Sequence, residues 1–120
     1  MKYKNITGKE AWDLLKSDQN SFLVDVRSQD EWDSVGIPDL TSLKKKLIKI
    51  TWLANDPGFL SQLQVAIPNK NSQIIFLCRG GVRSGAAAEK ALESGYKHSY
   101  NLIGGFEKGG WDALPSKKNN

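Results

Sequence analysis

Apolar positions along this chain fall into short runs separated by helical stripes, and that alternation predicts the architecture. Thr7 and Glu10 have capping-box spacing, with Ile6 and Ala11 placed as a hydrophobic staple. Behind them Ala11, Trp12, Leu14 and Leu15 form one apolar stripe, which predicts a first helix. Phe22-Leu23-Val24-Asp25-Val26 is rich in strand formers and too short for a buried helix. Ser28 and Glu31 repeat the capping-box spacing and predict a short helix through Trp32, in a helical stretch that Pro38 ends. Leu47 to Trp52 reads as a strand, and Asp56-Pro57 as an N-cap followed by proline at the first helical position. Phe59, Leu60, Leu63 and Ile67 give that helix its buried face. Ile74-Ile75-Phe76-Leu77 shows no alternation, the mark of a central strand covered on both sides. An alanine-rich helix from Ser84 to Ser94 closes at Gly95 in a left-handed cap. Tyr100-Asn101-Leu102-Ile103 is a last strand, and a helix is expected from Gly104-Gly105 to Trp111.

Strands alternating with helices predict an α/β domain with a mostly parallel sheet. No repeat, low-complexity tract or linker divides the chain, so residues 1–120 are read as one domain. Its core should span about residues 5–115, with 116–120 a frayed tail. In such sheets, sites form beyond the carboxyl ends of the strands. The chemistry is therefore expected after Val26, after Leu77 and after Ile103.

Composition narrows the classes. The 120 residues are 39% apolar, 9% aromatic and 25% charged, which excludes a disordered segment. No apolar run approaches the ~18 residues of a membrane span. Met1-Lys2-Tyr3-Lys4-Asn5 has charge without a following apolar stretch, so no secretory signal is expected and the cytoplasm is the expected location. Seventeen Lys and Arg against 13 Asp and Glu give +4. Lys44-Lys45-Lys46 with Lys49, and Lys117-Lys118, read as a solvated face and a free end. No aromatic residues are interleaved with them, so nucleic acid is not an expected partner. The single cysteine, Cys78, excludes an internal disulfide, a cysteine zinc cage and an intramolecular redox pair.

The residues directly after Cys78 turn a lone thiol into a candidate nucleophile. Cys78-Arg79-Gly80-Gly81-Val82-Arg83-Ser84 runs from the most apolar strand directly into the alanine-rich helix. Adjacent glycines let successive amides point into one concavity. The helix adds its unpaired N–H groups and positive dipole end, and Arg79 and Arg83 add charge. All of these stabilise a thiolate, the reactive form of cysteine. Four residues separate Cys78 from Arg83, one fewer than in the phosphate-encircling loop of cysteine phosphatases. The tighter ring suits a smaller guest, one extra sulfur on the cysteine.

The loop Cys-Arg-Gly-Gly-Val-Arg-Ser resembles the active-site loop of single-domain rhodaneses, the thiosulfate sulfurtransferases. Val24-Asp25-Val26-Arg27 with Glu31-Trp32 resembles that family's Asp-x-Arg segment and following acidic-aromatic pair. Gly36-Ile37-Pro38 stands where the family has Gly-His-Ile-Pro, without the histidine. Leu102-Ile103-Gly104-Gly105 with Trp111 is similar to its closing signature. The resemblance covers about residues 5–115 and implies a rhodanese-like fold, about five strands flanked by helices on both faces.

It also implies a reaction. Cys78 takes a sulfane sulfur from thiosulfate or a similar anion, and the persulfide rests among the amides of Arg79, Gly80, Gly81, Val82, Arg83 and Ser84. Cyanide, a thiol or a sulfur-accepting protein then removes it, with no metal or organic cofactor. Arg83 either holds the donor's charge or ties the loop to a nearby carboxylate. Arg79 is expected at the rim, steering anions. Ser84 either caps the helix or gives its hydroxyl to the sulfur. Asp25 and Arg27 are read as structural, with Arg27 paired to Glu31, and His98 as a surface residue. Trp52 and Phe59 are candidates for the pocket mouth. The alternatives are a docking or regulatory module without turnover, a persulfide carrier serving a partner protein, and a small phosphatase or arsenate reductase.

Overall fold

A computed structural model of the chain describes residues 2–119. Its framework is a five-stranded sheet built from β1 (Lys4–Ile6), β2 (Ser21–Asp25), β4 (Ile48–Lys49), β5 (Gln73–Leu77) and β6 (His98–Leu102). The strand order is β1-β6-β5-β2-β4, and every pairing is parallel. The apolar strand β5 lies at the centre with Ile74, Ile75, Phe76 and Leu77 all buried, as its unbroken run predicts.

Among the described residues, four α-helices cover the sheet. Thr7 and Glu10 close their capping box at the start of α1 (Gly8–Ser17), and Ser28 and Glu31 close theirs at α2 (Gln29–Val35). The other two are α3 (Gly58–Ala66) and α4 (Val82–Glu93). Ala11 and Leu15 of α1 pack with Leu23, Ile75, Leu77, Leu102 and Trp111 on one face. On the other, Phe59 and Leu63 of α3 and Ala87, Ala88 and Ala91 of α4 pack with Val24, Ile74 and Phe76. Alanine lets α4 sit close to the sheet, which brings its N-terminus to the end of β5. No helix among the described residues is long and apolar enough to cross a membrane.

Five local expectations change. The strand expected from Leu47 to Trp52 is laddered only at Ile48–Lys49, although the Ile50 and Trp52 amides still donate to the carbonyls of Asp25 and Val26. Asp56 does not stand at the N-cap, which is Pro57; its Oδ1 accepts from the Gly58 amide at 2.9 Å instead. No helix follows Gly104-Gly105: the chain runs through turns, because the Phe106 and Glu107 amides donate to the carbonyls of Cys78 and Arg79 rather than within a helix. The tail is not frayed at its start, since β7 (Ser116–Lys117) pairs antiparallel with β3 (Ile37–Pro38). The basic run also differs from a purely solvated face: Lys45 Nζ reaches the carbonyls of Asp18 and Ser21, at 3.2 and 2.7 Å, while Lys44 and Lys46 are exposed.

Candidate active site

Three segments converge beyond the carboxyl ends of the strands, as the parallel sheet leads one to expect. They are Asp25–Arg27 at the end of β2, Cys78–Gly81 after β5, and the Gly104–Gly110 turns after β6. The third braces the second. Phe106 N and Glu107 N donate to the carbonyls of Cys78 and Arg79 at 2.8 and 3.0 Å. Gly105 makes that approach possible: a Cβ there would lie 2.4 Å from the Cys78 carbonyl oxygen and 2.5 Å from that of Arg79. No side chain fits against backbone at that distance.

Cys78 sits on the floor of the loop, 1% exposed. Of the loop glycines beside it, Gly80 is exposed and Gly81 half-buried. Gly81, at φ +112°, is the N-cap of α4 and turns its amide onto the sulfur, 3.0 Å from Sγ. L side chains rarely adopt that φ, so the glycine is required by the conformation. The Ser84 hydroxyl lies 3.2 Å from the same sulfur. Burial pushes the thiol pKa up, but the Ser84 hydroxyl and the amides of Ser84, Gly81 and Gly80 outweigh it, leaving a net downward shift. Main-chain N–H groups and one hydroxyl favour the ionised form of this thiol.

The arginines lie further out than the loop sequence suggests. Arg83 forms a two-pronged ion pair with Glu31 of α2, Nη1 to Oε1 at 2.6 Å and Nη2 to Oε2 at 2.9 Å. Of the two readings of Arg83, the structure has the tie to a carboxylate. Hydrogen bonding to Glu31 raises the guanidinium pKa against the effect of burial, with Cys78 contributing attraction from further away. Arg79 is exposed at the rim, its Nε 3.4 Å from Glu107. Val82 is exposed, and His98 stands at the surface as expected.

The match to known proteins covers nearly all of this framework. The sequence profile described as "STR4 middle domain" fits residues 3–117. The thiosulfate sulfurtransferase GlpE of Coxiella burnetii is 32% identical over 108 residues, covering 89% of this chain and 87% of that protein. The chain belongs to the rhodanese family. An uncharacterised Rickettsia conorii protein shares 42% identity over 107 residues, with 89% of this chain and 86% of that one covered. The crystal structure of Rv0390 from M. tuberculosis superimposes with a TM-score of 0.89 at 36% identity, over 99% of this chain and 100% of that one.

Within this rhodanese the expected Arg27–Glu31 pair does not form. Arg27 turns back two residues to Asp25, Nη2 to Oδ2 at 2.6 Å and Nε to Oδ1 at 2.9 Å, with both side chains fully buried. Its Nη2 also donates to the Gly36 carbonyl at 2.9 Å. Glu31 is left for Arg83, a partner that its role in the capping box conceals. The same carboxylate accepts from the Ser28 amide and hydroxyl at 3.1 and 3.0 Å. Ser84 does not cap its helix through its side chain; its hydroxyl faces the sulfur at 3.2 Å. Trp52 and Phe59 stack edge-on, 4.9 Å between centroids. Phe59 is buried in the core, and Trp52 opens onto a separate groove with Pro57 and Ala86.

Sequence reasoning missed Asn101, which receives the Ser84 hydroxyl at 2.6 Å. Its position one residue before Leu102 of the closing signature is the only sequence signal it offers.

Glu31 carries a pH prediction. Its pKa is lowered from 4.5 to about 2, chiefly by the Arg83 hydrogen bonds against the cost of burial. A depressed carboxylate pKa contributes stability that is complete above the unfolded value and disappears as pH falls through the folded one. Glu31→Gln should therefore be less stable than wild type at neutral pH. The gap should close between pH 4.5 and about 2, read as thermal midpoints across that range. A gap independent of pH would mean that the Glu31 charge is not its source.

Proposed function

We propose that this rhodanese transfers a sulfane sulfur from thiosulfate, or a similar inorganic anion, through a persulfide on Cys78. The observation that carries the reading is the Sγ of Cys78 seated under Gly81 N and Ser84 Oγ at 3.0 and 3.2 Å, at the N-terminus of α4. Kinship with a thiosulfate sulfurtransferase of Coxiella burnetii supports the same donor class.

In the first half-reaction the thiolate attacks the outer sulfur of thiosulfate. A new S–S bond forms to Cys78, the donor's S–S bond breaks, and its electron pair leaves with sulfite. In the second, cyanide or a thiolate attacks the terminal sulfur. The persulfide bond breaks and its electrons return to Sγ, regenerating the thiolate. No net oxidant or reductant is consumed. Rates in such exchange follow the thiolate fraction, the leaving group's acidity and access to the sulfur. Amides lining the loop can accept the terminal persulfide anion with little reorganisation, because the turns after β6 already hold them in place. The exposed rim, with Arg79 and Lys108, favours arrival of anions. A thiol of this kind fits a reducing compartment, which makes the cytoplasm our proposed location.

Intact-mass spectrometry after thiosulfate treatment tests the reading. One sulfur atom should be gained and then lost on addition of cyanide. A reduced, alkylatable Cys78 that gains no sulfur would leave the domain as a docking module. Hydrolysis of an aryl phosphate by wild type but not by Cys78→Ser would move it to the phosphatases.

A further inference from the structure

Ser84 has one hydroxyl proton and two acceptors. Its Oγ is 3.2 Å from Cys78 Sγ and 2.6 Å from Asn101 Oδ1, and all three residues are buried. The hydroxyl can donate to only one of them at a time. Asn101 is itself held: its Nδ2 donates to Asn5 Oδ1 on the edge strand β1 at 3.0 Å, which keeps Oδ1 turned toward Ser84. A chain of side chains thus runs from the reactive sulfur through α4 and β6 to an exposed residue of β1.

We infer that Ser84 is a two-position hydroxyl rotor, and that Asn101, anchored by Asn5, is the positioning residue that sets how much of its hydrogen bond the sulfur receives. When the sulfur is a thiol, its S–H can donate to Ser84 Oγ while Ser84 donates to Asn101. When the sulfur is a thiolate, the hydroxyl swings to the sulfur and Asn101 gives up its donor. Asn101 is thus a competitor that limits the stabilisation of the anion. The competition has a chemical use, since a thiolate made too stable is a weaker nucleophile. It also offers the buried hydroxyl a partner whenever Sγ carries no charge, as on the inner atom of a persulfide. In that last respect the inference rests on the sulfur-transfer reading; the competition itself does not.

The arginines around this chain are each paired with a carboxylate. Arg83 on α4 is tied to Glu31 on α2, Asp25 at the end of β2 to Arg27, and Arg79 to Glu107. The Lys108 side chain passes Gly80, and the Tyr3 hydroxyl lies over Gly85, 2.8 Å from where a Cβ would stand. They act on every variant alike, which lets substitutions along the chain isolate the rotor.

The test follows alkylation of Cys78 by iodoacetamide as a function of pH, with ultraviolet thiolate absorbance as a second readout. Asn101→Leu should shift the ionisation midpoint down by about one pH unit, the size of one charge-assisted hydrogen bond gained. Asn5→Ala should shift it in the same direction by roughly half as much, because the freed amide can turn an N–H toward Ser84. Ser84→Ala should shift it up by about one unit or more. Asn101→Leu added to Ser84→Ala should then produce no further change. Asn5 is exposed, so its variant decides the matter if Asn101→Leu fails to fold. An unchanged or raised midpoint in the Asn5 or Asn101 variant, or an Asn101 shift that persists without Ser84, overturns the inference. Alkylation needs no sulfur donor, so failure of the persulfide to form would be a separate result.

Discussion

Cys78→Ser is expected to lose thiosulfate:cyanide sulfurtransferase turnover by roughly three orders of magnitude or more, the usual cost of removing a covalent nucleophile. The substitution changes one atom and keeps its shape. The serine oxygen would inherit the contacts with Gly81 N and Ser84 Oγ, so the loop should remain closed. Only the chemistry disappears. An alcohol does not ionise near neutral pH, and the cradle's few hydrogen bonds cannot close a gap of that size. Stability should change by about 1 kcal/mol or less, the net value of an ordinary hydrogen bond. Circular dichroism melts beside the activity assay separate the two quantities. Sulfite release by Cys78→Ser at the wild-type rate would remove Cys78 from the reaction altogether.

Arg27→Met is expected to cost about 3–5 kcal/mol of folding stability, because it strands a buried charge. Both Asp25 and Arg27 are fully buried, and the carboxylate takes three of its four contacts from the guanidinium, Nε to both oxygens and Nη2 to one. Without Arg27's side chain, only the residue 27 amide, 3.1 Å from Oδ1, remains on the carboxylate. Removing both charges should recover most of the loss: Asp25→Leu with Arg27→Met replaces the pair by apolar volume, often neutral in buried pairs. Urea midpoints of the single and double variants supply the comparison. A single variant as stable as the double would mean that the pair is not what holds this corner. The loss should reach the site as well. The Arg27 guanidinium lies 4.2 Å above the centroid of Phe106, whose amide donates to the Cys78 carbonyl. Sulfur loading in the single variant should therefore be weakened even at temperatures where the protein stays folded.

Much of the frame is legible in local patterns. Both capping boxes, the buried central strand, the positive-φ Gly95 after α4 and the Cys78 loop depend on residues within a few positions of one another, and each forms where its spacing places it. Errors arise where a distant segment takes a backbone group. The residues after Gly104 have helix-compatible patterning, yet their amides are spent on the carbonyls of Cys78 and Arg79. Ser116 and Lys117 read as a polar end until Ile37 and Pro38 offer them an edge.

Pairing of charges shows the same division. Sequence offered Arg27 the glutamate four positions on, the usual helical spacing, but Arg27 precedes the helix and folds back on Asp25. Glu31 is then free for Arg83, 52 residues away. By itself the sequence determined the alternation of strands and helices and the position of the cysteine proposed as nucleophile. It also placed glycines where amides could face the sulfur. Only the tertiary structure decided which carboxylate each arginine holds, which two acceptors the Ser84 hydroxyl faces and what braces the loop. Hydrogen bonds and ion pairs form between whichever groups the completed fold leaves within about 3 Å, and chain spacing says nothing about that once the partners lie on different elements.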